Sequence, residues 1–304
     1  MFSRRHPYLF FLIIITGMLT ATFISLAFII AMWGDDRTRF IGEKVGVVEV
    51  NGAILDSRAV IEQLKKFREH DVIKAIVIRI NSPGGGVASS QEIYKEIMRT
   101  REFKRVIASM GTMAASGGYY IAAGADGIVA NPGTITGSIG AIMGYTNFEE
   151  LLNKLGLLPV VIKSGPYKDV GSPARTMTEE ERDLLQEVVS KIHQQFIHAI
   201  AEGRKLEASQ VELIADGRIF SGEQAKELGL VDRMGNLEDA LQWAGELGGI
   251  QGEVIPIYAK DEDLSFLRYF LESAVKIITD RIFESYFNIQ YRYYPEASVS
   301  DSSN

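Results

Sequence analysis

Apolar and polar positions along the chain follow two periods, which alternate from about residue 44 onwards. Residues 44–50 and 72–80 are rich in β-branched side chains and predict strands, the second of them buried on both faces. Helical spacing of apolar residues covers 60–70, 88–102 and, over the longest stretch, 178–204. Further predicted elements are a strand at 105–110, a helix from Ser116, extended pieces at 127–139, a helix at 147–156, a strand at 158–163, and helices at 208–215, 222–228 and 237–247. This alternation predicts an α/β fold in one domain.

The N-terminal region differs from the rest because residues 8–33 contain no charged side chain. About 20 apolar residues suffice for a helix to cross a bilayer, so this run predicts a transmembrane anchor. The alternative is a signal peptide that is removed, but its apolar region usually has only about 7–15 residues. Two basic residues precede the run and three follow it closely, so the positive-inside rule leaves the orientation open.

Composition removes several kinds of chemistry. The chain has no cysteine, which excludes disulfides, thiolate nucleophiles and cysteine-type zinc sites. Its net charge of −7 argues against nucleic acid as a partner. Only four histidines occur, and two of them, His193 and His198, share the long helix about 140° apart and cannot easily ligate one metal. We predict surface roles for all four, no metal site and no cofactor.

A serine flanked by small residues is the first candidate for catalysis. Residues 110–121 read M-G-T-M-A-A-S-G-G-Y-Y-I, and the predicted strand and helix would place Ser116 at a helix N-terminus. Unpaired N–H groups and the helix dipole favour a developing oxyanion there. The alternative is an ordinary N-cap serine, with the glycines required for helix packing.

Two glycine-containing loops are further candidates. The sequence N-S-P-G-G-G at 81–86 follows a buried strand and could point N–H groups at an anion, or could be a plain turn. The loop at 164–173 contains Lys168 between glycines and prolines. A lysine acts as a general base when burial lowers the pKa of its ammonium group, whereas most loop lysines are simply solvated.

Four motifs occur in a fixed order, namely N-S-P-G-G-G, M-A-A-S-G-G-Y-Y, T-G-S-I-G and S-G-x-Y-K-D-x-G-S-P-x-R. Over residues 44–245 the chain thereby resembles signal peptide peptidase A, a family of membrane-anchored serine peptidases with the Clp protease/crotonase fold. The resemblance implies Ser116 as the nucleophile and Lys168 as the general base. It also implies Ser138 as the residue that orients the lysine, and the N–H groups of Gly85 and Gly117 as the oxyanion hole.

The same resemblance implies an organisation and a function. It implies a short cytoplasmic tail at 1–7, a single-pass anchor at 8–33, and a peptidase domain at 44–250 on the non-cytoplasmic side of the cell membrane. The implied activity is that of a serine endopeptidase degrading cleaved signal peptides and other apolar peptides. Single-domain members form homo-oligomeric rings, in which one site can take its serine and lysine from neighbouring protomers. Two other functions stay open: a crotonase-type acyl-CoA enzyme, or a non-catalytic membrane scaffold of this fold.

The C-terminal region lies outside the resemblance. Residues 264–287 show apolar positions at helical spacing and predict an amphipathic helix. This helix could pack against the body or another protomer, or could lie on the membrane surface and guide substrates from the lipid. The last residues, 297–304, predict a flexible tail.

Overall fold

A computed structural model describes residues 8, 11, 15–25 and 43–259 of the chain. The strands within 43–259 are β1 (Lys44–Asn51), β2 (Ile73–Ser82), β3 (Arg105–Ala115), β4 (Gly127–Ala130), β5 (Ile135–Gly137), β6 (Ile219–Ser221), β7 (Arg233–Met234) and β8 (Ile255–Tyr258). The helices in the same range are α1 (Arg58–Glu69), α2 (Val87–Arg101), α3 (Gly117–Ala123), α4 (Glu149–Lys154), α5 (Glu179–Arg204), α6 (Ala208–Glu212), α7 (Gly222–Glu227) and α8 (Leu237–Leu247). The alternation predicted from the sequence is confirmed as an α/β fold.

These eight strands form one sheet in the order β6-β5-β3-β2-β1-β8, with β4 pairing β3 and β7. All pairs are parallel except β5 with β6, which is antiparallel. Parallel neighbours end at the same edge of a sheet, so β2, β3 and β5 bring their carboxyl ends together. The glycine loop, Ser116 and Ser138 follow these three strands, and the topology therefore gathers three of the four sequence motifs.

Helices cover both faces of the sheet, which explains the continuous apolar sequence of β2. On one face, Ile76, Ile78 and Ile80 belong to a core that includes residues of α1, α2, α3 and α5. On the other face, Ala75 and Val77 pack with residues of α8. Successive strand residues point to opposite faces, so a strand covered on both sides is apolar at every position.

An irregularity in β3 carries this strand from one neighbour to another. Its pairing with β2 shifts between Ile80 and Ser82, and its own neighbour changes from β4 to β5. The side chain of Asn81 accepts a hydrogen bond from the N–H of Met113 at this point (3.3 Å). Bulges of this kind bend a strand and redirect its end. Here the bend directs the end of β3, and Ser116 after it, towards β5.

Residues 141–177 contain only one short helix, α4, and expose many apolar side chains. The predicted strand at 158–163 is wrong, because this segment has no strand partner in the structure. A β-branched segment becomes a strand only when a neighbouring strand satisfies its backbone groups. The large apolar side chains of 142–162 that are at least 46% exposed are Ile142, Met143, Tyr145, Phe148, Leu151, Leu155, Leu157, Leu158, Val160, Val161 and Ile162.

Among the described residues, no helix combines the length and apolar character that a bilayer span requires. Residues 15–25 are helical, but most other residues of the predicted anchor at 8–33 lie outside the described part. The predicted helix at 264–287 and the tail at 297–304 also lie outside it.

Candidate active site

Ser116 sits at a sharp junction between strand and helix. β3 ends at Ala115 and α3 begins at Gly117, so Ser116 makes the whole turn with φ 52° and ψ −120°. A residue with a side chain adopts positive φ at a cost of roughly 1–3 kcal/mol, which the surrounding structure must hold in place. Its hydroxyl makes no capping hydrogen bond to α3. Ser116 is therefore the N-cap residue of α3 by position, but its hydroxyl does not cap the helix, and this half-buried group is available for other chemistry.

The glycine loop after β2 packs directly on this junction. An ideal Cβ on Gly84 would lie 2.6 Å from the nitrogen of Gly117 and 2.9 Å from the Cβ of Ser116. Gly84 also has φ +100°, a conformation that only glycine adopts without strain. On the other side, Ile54 donates to the carbonyl of Gly84 (2.9 Å) and accepts from the N–H of Gly86 (2.8 Å). The loop is held from both sides, and only glycine leaves room for it.

Two backbone N–H groups lie beside Ser116 without a backbone partner. Among residues 43–259, neither the N–H of Gly85 nor that of Gly117 donates to a backbone carbonyl. The two residues lie close together, because an ideal Cβ on Gly117 would be 3.2 Å from the nitrogen of Gly85. Unpaired backbone N–H groups close to a serine hydroxyl are the kind of donor that an oxyanion hole requires.

Ser138 lies next to Ser116 through the pairing of β3 with β5. Ala115 is the partner of Gly137, and the N–H of Ser116 donates to the carbonyl of Gly137 (2.9 Å). Ser138 follows at once, with φ 52° and its N–H donating to the carbonyl of Arg218 (2.8 Å). The fold thus places Ser138 beside Ser116.

The loop that carries Lys168 is attached elsewhere, at the start of α5. Arg175 holds Asp169 through two hydrogen bonds (2.9 and 3.0 Å) and also donates to Glu181 in the first turn of α5 (2.8 Å). Glu181 is the N3 residue of a capping box on Thr178. The hydrogen bonds from Arg175, followed by those from Lys163, hold the pKa of Asp169 far below its usual value. The same guanidinium lowers the pKa of Glu181 to about 2.

Among the described residues, Lys168 makes no hydrogen bond to Ser116, and its loop is attached at a different part of α5 from the one that packs near Ser116. The side chain of Lys168 is exposed. Glu181 anchors the lysine loop, whereas Phe196 on the same helix packs on Tyr120, one turn after Ser116, with ring centroids 4.7 Å apart. Glu181 and Phe196 are fifteen positions apart on this helix, which corresponds to about 22 Å along its axis.

The histidines do not form a catalytic or metal cluster in the described part of the chain. No group of three or more His, Cys, Asp or Glu side chains there could hold a metal ion. His198 is exposed, as predicted, and its Nδ1 lies 2.7 Å from the carbonyl of Gln194. His70 and His193 are half-buried, so the expectation of a surface role is wrong for these two because each has a ring nitrogen shielded from solvent.

Two polar residues near the site escaped the sequence analysis. Ser82 is fully buried and its hydroxyl accepts from the N–H of Gly84 (3.0 Å). Ser90, on α2, is 2% exposed, and its hydroxyl would lie only 2.4 Å from a Cβ on Gly117. The one sequence signal for Ser90 is its position three residues before Ile93, which places a small polar side chain on the side of α2 that faces the sheet.

Comparisons with known proteins agree with this geometry. Residues 99–251 match Peptidase family S49, and residues 24–134 match the Clp protease family. A Synechocystis protein whose name describes a protease is 47% identical over 217 residues, which are 71% of this chain and 78% of that protein. A protease-named protein of Methanocaldococcus jannaschii is 34% identical over 284 residues, covering 88% and 91%. An Enterococcus faecium protein named for signal peptide peptidase SppA is 40% identical over 213 residues, covering 66% and 62%.

These matches include the strand, turn and helix around Ser116, and they extend well beyond it on both sides. The α/β sheet therefore belongs to a Clp protease-like domain. The chain belongs to Peptidase family S49 and is a serine peptidase.

Proposed function

We propose that this serine peptidase is a membrane-anchored endopeptidase that uses a Ser–Lys dyad to degrade cleaved signal peptides and other apolar peptides. One observation carries the proposal: Ser116 is held at positive φ between two free backbone N–H groups and the end of β5. A strained residue whose hydroxyl has no structural use is a candidate nucleophile. The free N–H groups beside it can donate hydrogen bonds to the negatively charged oxygen that forms when a serine attacks a carbonyl.

The reaction follows from these positions. Ser116 Oγ forms a bond to the substrate carbonyl carbon while its proton passes to the neutral amine of Lys168. The N–H groups of Gly85 and Gly117 stabilise the resulting oxyanion. The peptide C–N bond then breaks, the proton moves from the lysine to the leaving amine, and water hydrolyses the acyl-enzyme by the same steps. Ser138 orients the lysine from beside the nucleophile.

A neighbouring protomer supplies Lys168 in this proposal. The attachment of the lysine loop to the far half of α5 supports this, and so do the exposed apolar side chains of 142–162. Monomeric soluble proteins rarely expose so large a contiguous apolar surface. A second copy of the chain would cover it, and repetition of such a head-to-tail contact closes a ring. Burial by that neighbour would also favour the neutral form of the lysine.

The apolar character of the surroundings supports apolar peptides as substrates. Leu55 and Val87 flank the glycine loop and are 82% and 41% exposed. They offer apolar surface beside Ser116 to a substrate in an extended conformation. The uncharged run at 8–33 supports an anchor in the cell membrane, with the catalytic domain on the non-cytoplasmic side. Peptides left in the bilayer after secretion would then lie close to the site.

The dyad is tested with S116A and K168A, with S209A and K154A as exposed controls of the same residue types. Cleavage of a signal peptide and of casein is measured, together with labelling by a fluorophosphonate. We expect both dyad variants to lose turnover and S116A to lose labelling, while the controls match the wild type. Activity that survives either S116A or K168A eliminates the dyad.

Mixing the two inactive variants tests where the lysine comes from. When S116A and K168A protomers are co-assembled in equal amounts, roughly a quarter of the sites combine an intact serine with an intact lysine if neighbours share sites. We expect about that fraction of wild-type turnover to return. No recovery, in assemblies shown to be mixed, refutes a shared site.

The absence of cysteine makes the topology easy to test. Single cysteines are introduced as S3C, before the anchor, and as S209C, on the exposed surface of α6. A membrane-impermeant maleimide applied to intact cells should label S209C and not S3C. The opposite pattern contradicts the proposed orientation, and extraction of the protein by carbonate at high pH contradicts the anchor.

A further inference from the structure

Ser90 occupies a place that the proposed reaction does not yet use. It lies one turn into α2, is 2% exposed, and its hydroxyl donates to the carbonyl of Gly86 (2.9 Å). Gly86 belongs to the glycine loop, and its N–H is held by the carbonyl of Ile54 (2.8 Å). The hydroxyl of Ser90 therefore fixes the glycine loop from the side of α2.

The same oxygen also abuts the start of α3. A Cβ built on Gly117 would lie 2.4 Å from Ser90 Oγ, 3.2 Å from the nitrogen of Gly85 and 3.3 Å from the Cα of Gly84. The oxygen of Ser90, the backbone of Gly117 and the N–H of Gly85, which is the other proposed oxyanion donor, therefore surround one small volume. Ser90 therefore limits how closely Gly117 can approach α2.

We propose that Ser90 is a positioning residue that sets the separation of the Gly85 and Gly117 N–H groups. A hydroxyl has one proton to donate, and Gly86 receives it, so the lone pairs of Ser90 face Gly117. Loss of the oxygen leaves the Gly86 carbonyl with the backbone N–H of Ser90 as its remaining donor (3.1 Å) and opens a gap into which Gly117 moves. Since oxyanion donors act only at hydrogen-bond distance from the transition-state oxygen, a small shift lowers the rate of attack without weakening substrate binding.

This inference rests on the proposed function, and its test separates the two. Ser90→Ala is assayed beside Ser116→Ala for kcat, KM, melting temperature and the rate of inactivation by a phosphonate, whose tetrahedral adduct occupies the oxyanion hole. We expect Ser90→Ala to lower kcat and the inactivation rate by roughly tenfold to a hundredfold, with KM changed by less than about twofold. Ser116→Ala should be inactive towards both the substrate and the phosphonate.

Thr100→Val is the matched control. Thr100 lies further along α2, is fully buried, and makes the same type of bond, to the carbonyl of Glu96 (2.8 Å). It should lower the melting temperature without lowering kcat. Should Ser90→Ala fail to fold, Ser90→Cys is used instead, because it leaves no cavity at this position. Its sulfur is larger than the oxygen and would displace Gly117, so the same loss of kcat is expected.

The outcomes are distinct. A Ser90 variant whose kcat and inactivation rate stay within about twofold of the wild type overturns the positioning role while leaving the nucleophile intact. A loss no greater than that of Thr100→Val also overturns it, as does a rise in KM that accounts for the whole effect. Activity retained by Ser116→Ala refutes the proposed function itself, and the role of Ser90 with it.

Discussion

Gly203, near the end of α5, provides a test in which two physical effects predict opposite signs. Alanine is a better helix former than glycine by about 1 kcal/mol, so Gly203→Ala should stabilise an isolated helix. In the folded protein, however, a Cβ at this position would lie 2.0 Å from the carbonyl oxygen of Ala123 and 2.8 Å from its carbon. Ala123 is the last residue of α3, the helix that begins directly after Ser116.

The contact should outweigh the gain in helix propensity. The obstacle is backbone, which cannot rotate away as a flexible side chain would, so α5 or α3 must move by about 1 Å or more to relieve it. Overpacking of this kind typically costs 1–3 kcal/mol, which leaves a net loss of up to about 2 kcal/mol after the gain in helix propensity. For a domain of this size that corresponds to a fall of up to about 8 °C in melting temperature.

We also expect a large loss of turnover for Gly203→Ala. Because α3 is a short rigid unit of seven residues, displacement at Ala123 is transmitted to Ser116, and a misplacement of 1 Å can reduce turnover about a hundredfold. Calorimetry and steady-state kinetics measure both quantities, with Gly133→Ala as the control because its Cβ would meet nothing within 4 Å. A higher melting temperature with unchanged kcat for Gly203→Ala would refute the close packing of α5 on α3.

Three further predictions concern charge, backbone strain and association. Arg175→Met should reduce the acid sensitivity of the lysine loop, because hydrogen bonds from Arg175 are the largest cause of the lowered pKa values of Asp169 and Glu181. Both carboxylates stabilise the loop fully above about pH 4.5 and lose this contribution as the pH falls towards 2. Proteolysis of the wild-type loop should therefore rise on acidification, while the variant is cleaved readily and with a smaller pH dependence, since Lys163 still holds Asp169. Ser116→Gly should melt about 1–4 °C above Ser116→Ala, since glycine adopts φ 52° without strain, and equal stability would argue against that conformation. Leu158→Ser with Ile162→Ser should shift sedimentation towards smaller species, whereas Leu213→Ser, which removes an equally exposed side chain directly after α6, should not.

Local pattern predicted the elements that carry the site, because each depends on nearby residues. The β-branched run of β2 is buried on both faces, and the start of α5 follows from Thr178 and the glutamates after it. Motif resemblance then singled out Ser116, Gly85, Gly117 and Ser138, and the parallel sheet brings these residues to one edge. A single sequence could not show that the loop carrying Lys168 is attached to the first turn of α5 through Arg175 and Glu181.

Contacts between distant parts of the chain account for most of the differences from the sequence analysis. β8 pairs with β1 across some 200 residues, and its four residues have no pattern that would distinguish them from a loop. The segment 158–163 has the composition of a strand but lacks a partner. Ser90 looks like any small polar residue of an amphipathic helix until the position of Gly117 is known. In each case, contacts with residues that are distant in the sequence determine the local structure or the role of the residue.

The two parts of the proposed site, one around Ser116 and one around Lys168, are held in place by different interactions. Ser116 and its neighbouring N–H groups are fixed by parallel strands, backbone hydrogen bonds and glycine contacts that exclude any larger residue. Lys168 lies on a loop fixed by ion pairs around Arg175. Carboxylates lose such pairs on protonation, whereas backbone hydrogen bonds and close packing do not titrate. The lysine loop should consequently be displaced only as the pH falls towards 2, while the elements around Ser116 keep their geometry. Phosphonate adducts already formed on Ser116 should therefore persist at a pH at which the loop has become sensitive to proteolysis.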